Sequence, residues 1–186
     1  MTSLPSDLQA QMVHRMHEAE GCLSEVWYST CDRYRYGLSR VWDRTAPRML
    51  FVMLNPSTAD EHRNDPTVAR CETRARRMGF GAVMVANIFA FRATFPDDLK
   101  RAKAPIGKLN DSVLEHWSGL AEMTIAAWGV HGSHRSRAQS VARGFTGKLH
   151  HLGLTKDGHP RHPLYVSFDT APKAWPLSER YPQGQT

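Results

Sequence analysis

Residues 48–56 read RMLFVMLNP and residues 81–87 read GAVMVAN, two short apolar runs that each close on an asparagine. A run of six or seven apolar residues without polar alternation leaves no face for water, so both are predicted to be strands buried on both faces of a sheet. Pro47 and Pro56 bracket the first run, and Gly79 and Gly81 precede the second. Between them, Asp65 and Pro66 supply an N-cap and a first-turn proline for a helix over about 67–78, ended by Gly79. Strand, helix and strand in this order form a crossover unit, which implies parallel pairing.

The same alternation continues outward. Asn110 or Asp111 caps a helix through Leu120, MTIAA at 123–127 is a third short strand, and 133–149 is a basic helix-like stretch with Gly144 and Gly147 near its end. Residues 24–43 carry aromatic and β-branched residues broken by Asp32 and Gly37, which predicts one or two short strands of architectural role. Ser6 and Asp7 cap an N-terminal helix over about 6–20, with Leu8, Met12, Met16 and Ala19 on one face and Gly21 as its stop. From Thr155 onward the chain is rich in Pro and Gly, so it is expected to be irregular apart from a strand near 165–168, with the last few residues flexible. The expected architecture is one α/β domain over 1–186, a three-layer αβα sandwich around a central, mostly parallel sheet.

Composition narrows the function classes. Hydrophobic residues at 41% and charged residues at 23% are those of a folded globular chain rather than a disordered one. No run of 18 apolar residues occurs and the first twenty residues lack the pattern of a secretory leader, which predicts a cytoplasmic protein without a membrane partner. Three cysteines, Cys22, Cys31 and Cys71, without a CxxC pair, build neither a disulfide framework nor a metal cluster. The pairs His14/His17, His131/His134 and His159/His162 have metal-contact spacing but no evident third ligand, so no metal and no cofactor are expected. Walker A, GxGxxG and GxSxG patterns are absent from the sequence. A net charge of +6, from 24 Lys and Arg against 18 Asp and Glu, is compatible with a nucleic-acid partner.

In open α/β sheets ligands bind beyond the carboxyl ends of the strands, which singles out Asn55 and Asn87. Asn55 lies in Leu54-Asn55-Pro56-Ser57, a sequence that a plain strand-exit turn also explains. Asn87 is followed by Phe89, Phe91 and Arg92; an asparagine offers both a donor and an acceptor to a base edge, and aromatic rings stack on bases. A third segment, Gly158-His159-Pro160-Arg161-His162-Pro163-Leu164-Tyr165, holds two imidazoles beside rigid prolines.

Taken in this order the three segments resemble the motifs of the uracil-DNA glycosylase superfamily. The LNPS start, the Asn110-Asp111-x-x-Leu114 segment and the G-x-P-x-HPLY end also resemble the bacterial and phage family DUF1643, over about Tyr34 to Pro172. The glycosylase resemblance implies that Asn55 positions the attacking water, that His162 assists base departure with His159 as the alternative, and that Asn87 reads the base. It further implies substrate contacts from Pro56, Ser57, Phe89 and Arg92, with Leu164 near the residue that enters the base stack. Arg161, Arg135, Arg137 and His159 are the expected contacts to nucleic acid. The sequence departs from the glycosylase pattern where Met53 and Leu54 stand in place of Gly and where Ser57 follows Pro, so a damaged or modified base, a pyrimidine by this resemblance, is expected rather than plain uracil.

The expected activity is therefore hydrolysis of an N-glycosidic bond in double- or single-stranded DNA by a monomer. Two alternatives use the same residues: a hydrolase or transferase acting on free nucleosides or nucleotides, and a non-enzymatic nucleic-acid-binding module.

Overall fold

The computed structural model describes residues 4–145 and 147–181. Strand β4 (Arg48–Met53) lies at the centre, between β5 (Ala82–Asn87) and β6 (Met123–Ala126), and is parallel to both. Its side chains alternate between two cores, Leu50 and Val52 on one face and Met49, Phe51 and Met53 on the other. Such a strand has no solvent face, which is why its sequence is an unbroken apolar run.

Helix α2 (Pro66–Arg77) covers the face of Met49 and Phe51. Its apolar stripe Val68, Cys71 and Ala75 repeats at helical spacing, Asp65 accepts the Val68 amide at 2.8 Å as N-cap, and Gly79 follows with φ +79°. Helices α4 (Asn110–Leu120) and α5 (Arg137–Gly144) cover the opposite face through Val113, Trp117, Ala138 and Ala142. Trp117 lies directly over Gly37, where a Cβ would run into its indole ring. Two short helices, α1 (Ser6–Gln9) and α3 (Pro96–Arg101), place Leu8 and Leu99 in the same core.

Among the described residues the sheet has eight strands in the order β1-β2-β3-β5-β4-β6-β7-β8, where β1 is Met12–Ala19, β2 Cys22–Ser29, β3 Arg35–Val41, β7 Leu149–His151 and β8 Lys173–Ala174. Four of its seven pairings are antiparallel and three are parallel, so the sheet is mixed rather than mostly parallel. The parallel part is β5-β4-β6-β7; a meander of β1, β2 and β3 adds to it through the antiparallel β3–β5 pairing.

The N-terminal helix expected over 6–20 is confined to α1, and residues 12–19 form β1 instead. Glu20 and Gly21 adopt φ +52° and +71°, the two consecutive positive φ values of a primed two-residue turn, which folds β1 back onto β2 as a hairpin. Gly21 serves that turn and not a helix stop. The basic stretch 133–149 divides into a 3₁₀ segment Val130–Ser136, helix α5 and strand β7, because Arg135 and Ser136 both take positive φ and interrupt the helix. In place of a strand at 165–168 there is a 3₁₀ turn at Pro163–Tyr165, which His162 caps. The C-terminal end of the tail expected to be flexible, residues 182–186, lies outside the described residues. Among the described residues no helix is long and apolar enough to cross a membrane.

Candidate functional site

The chain leaving β4 turns to α2 on one face of the sheet, whereas the chain leaving β6 turns to α5 on the other. Two neighbouring parallel strands whose exits diverge leave a crevice between them, the switch point at which α/β sheets bind ligands. A cavity of about 430 Å³ opens there, within the size range of small-molecule sites. The β4 exit contributes Leu54, Asn55 and Ser57, the β6 exit contributes Trp128 to His131, and the start of α2 contributes Asp65, Thr67 and Val68. Arg35 and His162 complete its polar lining.

Asn55 is half-buried and its orientation is fixed by two carbonyls. Its Nδ2 donates to Pro56 O at 3.0 Å and to Ala93 O at 2.6 Å. Both amide hydrogens are thereby used, so Asn55 offers the cavity its acceptor, Oδ1. The buried Pro56 also accepts the Ala93 amide at 3.1 Å, which ties the segment after β5 to the β4 exit.

His162 is held by its own turn. The Leu164 amide donates to its Nδ1 at 3.4 Å, which leaves the proton on Nε2 in the neutral imidazole. Burial pushes its pKa below the ordinary histidine value, and the nearby Asp65 carboxylate pulls the other way without cancelling that effect. At neutral pH His162 is therefore an uncharged Nε2–H donor. Its segment is anchored to α2 by Arg70, which donates to Pro163 O at 3.0 Å and to Val166 O at 2.6 Å. Arg74 adds bonds to Ser167 O at 2.6 Å and Thr170 O at 2.8 Å.

The expected residues do not all gather here. Asn55, Ser57 and His162 line the cavity; Asn87 does not. Asn87 ends β5 in register with the cavity residue Met53, but it is 1% exposed and its Nδ2 has no partner among the described residues. Phe89 is a core residue. Arg92 pairs with Asp32 at 3.1 Å and stands over the Tyr28 ring, away from the cavity lining. His159 meets the Tyr181 hydroxyl at 3.2 Å, and that hydroxyl accepts from Trp128 Nε1 at 3.0 Å, so His162 and not His159 faces the cavity. Leu164 is half-buried outside the lining. Of the three arginines expected at phosphates, Arg161 is exposed, Arg135 spends its guanidinium on the carbonyls of Ala102 and Lys103, and Arg137 is buried against Ile88 O and Asp111. That burial leaves Arg137 no face for a phosphate.

Among the cavity residues not expected from sequence, two carry charge. Arg35, read as part of an architectural strand, is 2% exposed at the start of β3, which the antiparallel β3–β5 pairing brings to the carboxyl ends of the parallel strands. Burial lowers its pKa to about 10, so it remains cationic at neutral pH. Asp65, read as a helix cap, is also the one carboxylate of the lining among the described residues. A cap at the first turn after a β4 exit is a signal that the sequence carries, because such helix starts converge on the crevice.

The family model described as "Protein of unknown function (DUF1643)" matches residues 35–164. The chain belongs to the DUF1643 family. The matched span of this DUF1643 protein runs from Arg35 to just past His162 and holds every residue of the cavity lining named above. No curated protein and no solved structure matches the chain.

Proposed function

We propose that this cavity is a base-releasing site, at which the protein hydrolyses the N-glycosidic bond of a damaged or modified base in DNA, in the manner of the uracil-DNA glycosylases whose motifs it resembles. The observation that carries the reading is the pairing, in one crevice, of an uncharged His162 with its proton on Nε2 and an Asn55 that presents only Oδ1.

Breaking this bond builds negative charge on the departing base and positive charge on the sugar carbon, so the site needs a fixed donor at the base and a held water at the sugar. His162 Nε2–H donates to the base acceptor beside the glycosidic nitrogen, the O2 of a pyrimidine or the N3 of a purine. Asn55 Oδ1 accepts a hydrogen from the water and aims its oxygen. As that oxygen bonds to C1′, the C1′–N bond breaks and its electron pair stays on the base. Asp65, on the same lining, takes the water's surplus proton, which ends on the departing base. A base flipped out of a duplex costs a few kcal/mol, least when it is damaged or mispaired.

One observation favours a second reading at the level of free nucleosides. Two of the three arginines expected at phosphates already hold other partners, Arg135 at the surface on the carbonyls of Ala102 and Lys103 and Arg137 in the interior on Ile88 O and Asp111. Incubation with oligonucleotides carrying uracil, hydroxymethyluracil, hypoxanthine or modified pyrimidines, alongside the matching nucleosides, separates the two. Alkali-labile abasic sites whose yield falls steeply with salt support action on DNA. Base release from nucleosides alone supports the second reading, and binding of oligonucleotides without product supports a binding module.

A further inference from the structure

Arg35 is the one buried cation that lines the cavity, and the protein leaves it largely unsatisfied. Its Nη1 donates to Ala59 O at 2.7 Å. Its Nε has no partner, and no partner for Nη2 is present among the described residues. Among the described residues no carboxylate lies within salt-bridge distance of it; Asp65, which also lines the cavity, acts on it electrostatically without contact. Buried donors without acceptors are rare because they forfeit the full desolvation cost, and a cationic one costs more. Such a group at the wall of a cavity is explained when the ligand supplies the acceptor.

The unused edge of the guanidinium is the Nε–Nη2 fork, whose parallel N–H bonds fit two adjacent acceptor atoms. Within the reading of the cavity as a base site, the acceptor pair that arginine recognises most often is O6 with N7 of a 6-oxopurine. We propose that the base received here is a 6-oxopurine, hypoxanthine or guanine in type, held by Arg35 at O6 and N7. Hypoxanthine is the deamination product of adenine, so the proposal keeps the damaged-base reading and moves it from a pyrimidine to a purine. The inference rests on the base-site reading but not on catalysis.

The test is therefore one of binding. The full chain is titrated with deoxyinosine, deoxyguanosine, deoxyadenosine, deoxycytidine, deoxyuridine and inorganic phosphate, followed by ligand-observed NMR and thermal shift. Deoxyinosine and deoxyguanosine are expected to bind roughly 10-fold or more tightly than the other nucleosides, the discrimination of one good bidentate contact. Their 7-deaza analogues, which lack the N7 acceptor, are expected to lose most of that advantage on the unaltered protein. Arg35→Lys, which keeps the charge but not the fork, is expected to abolish the preference. If that variant fails to fold, the 7-deaza comparison decides alone. A preference for deoxycytidine, deoxyuridine or deoxyadenosine, equal binding of the 7-deaza analogues, binding of phosphate alone, or no nucleoside binding at all would each overturn the proposal. A 6-oxopurine preference without base release would leave it standing and instead count against the hydrolytic reading above.

Discussion

At the residue scale, two side chains carry roles that their sequence context only half disclosed. Asp65 caps α2 through one carboxylate oxygen and lines the cavity as well. Asparagine caps a helix start as well as aspartate does, so Asp65→Asn separates the two roles. We expect it to melt within a few degrees of the parent and to lose about 10²-fold or more in kcat/KM for base release, the usual loss with a general base. Equal activity in the variant would remove Asp65 from the chemistry. For His162, burial holds the pKa below the ordinary value of about 6.5, and the proposed donor is the neutral form. Activity should therefore persist into mildly acidic solution and be lost only as pH falls through the lowered pKa. A kcat/KM profile whose acid limb lies above pH 6.5 would contradict that assignment. Asn55 and His162 were legible in the sequence because each follows or precedes a proline in a segment with an evident local purpose. Arg35 was not, because its burial and its place beside the cavity arise from the β3–β5 pairing, a contact between residues 41 to 47 positions apart.

At the scale of elements, β4, α2, β5 and α4 were legible to within a residue or two, since each pairs a clear period with a cap or stop. The strands β1, β7 and β8 were not. Residues 12–19 carry apolar positions that satisfy a helical period, yet the primed turn at Glu20-Gly21 commits them to a hairpin. β7 and β8 have three and two residues, too few for any period to show. The element that most directly orients the site is the turn at His162, and α2 holds it through arginines. Arg74 is 2% exposed and donates to the carbonyls of residues 166, 167, 168 and 170. Arg74→Ala leaves the carbonyls of Ser167, Phe168 and Thr170 without their cationic donor, while Val166 O keeps Arg70, and is expected to cost about 3 kcal/mol by urea denaturation. It should also raise the hydrogen-exchange rate of the Val166 amide, which is bonded to Pro163 O. A stability change below about 1 kcal/mol would show that the segment is held by other means.

At the scale of the whole molecule, histidines couple the fold to pH. Burial keeps His14, His134, His151 and His162 below the ordinary histidine value; in His14 the Glu25 carboxylate opposes the shift, and in His151 the Lys173 charge adds to it. The native state therefore favours the neutral forms, and below about pH 6.5 the unfolded chain binds more protons. The stability these four contribute is present above that pH and is lost as pH falls through their lowered values. Thermal denaturation at pH 7.5 and at pH 5.5 should show a lower midpoint in acid; equal midpoints would mean that other groups offset them. The overall architecture was legible as α/β with helices on both faces, because continuous apolar strands demand two covers. The mixed pairing was not, since the direction in which a meander joins a sheet edge is set by long-range contacts. What unites the molecule is the crevice where the β4 and β6 exits diverge, at which we propose that His162 and Asn55 release a base. The most direct measurement is the rate of alkali-labile site formation in the preferred damaged-base oligonucleotide, for the parent and for His162→Ala, with binding of the same oligonucleotide recorded in parallel. Loss of one preorganised donor predicts a rate lower by about 10²-fold or more with binding largely unchanged. A His162→Ala protein that releases base as fast as the parent, or a parent that binds the oligonucleotide and releases nothing, would contradict the account.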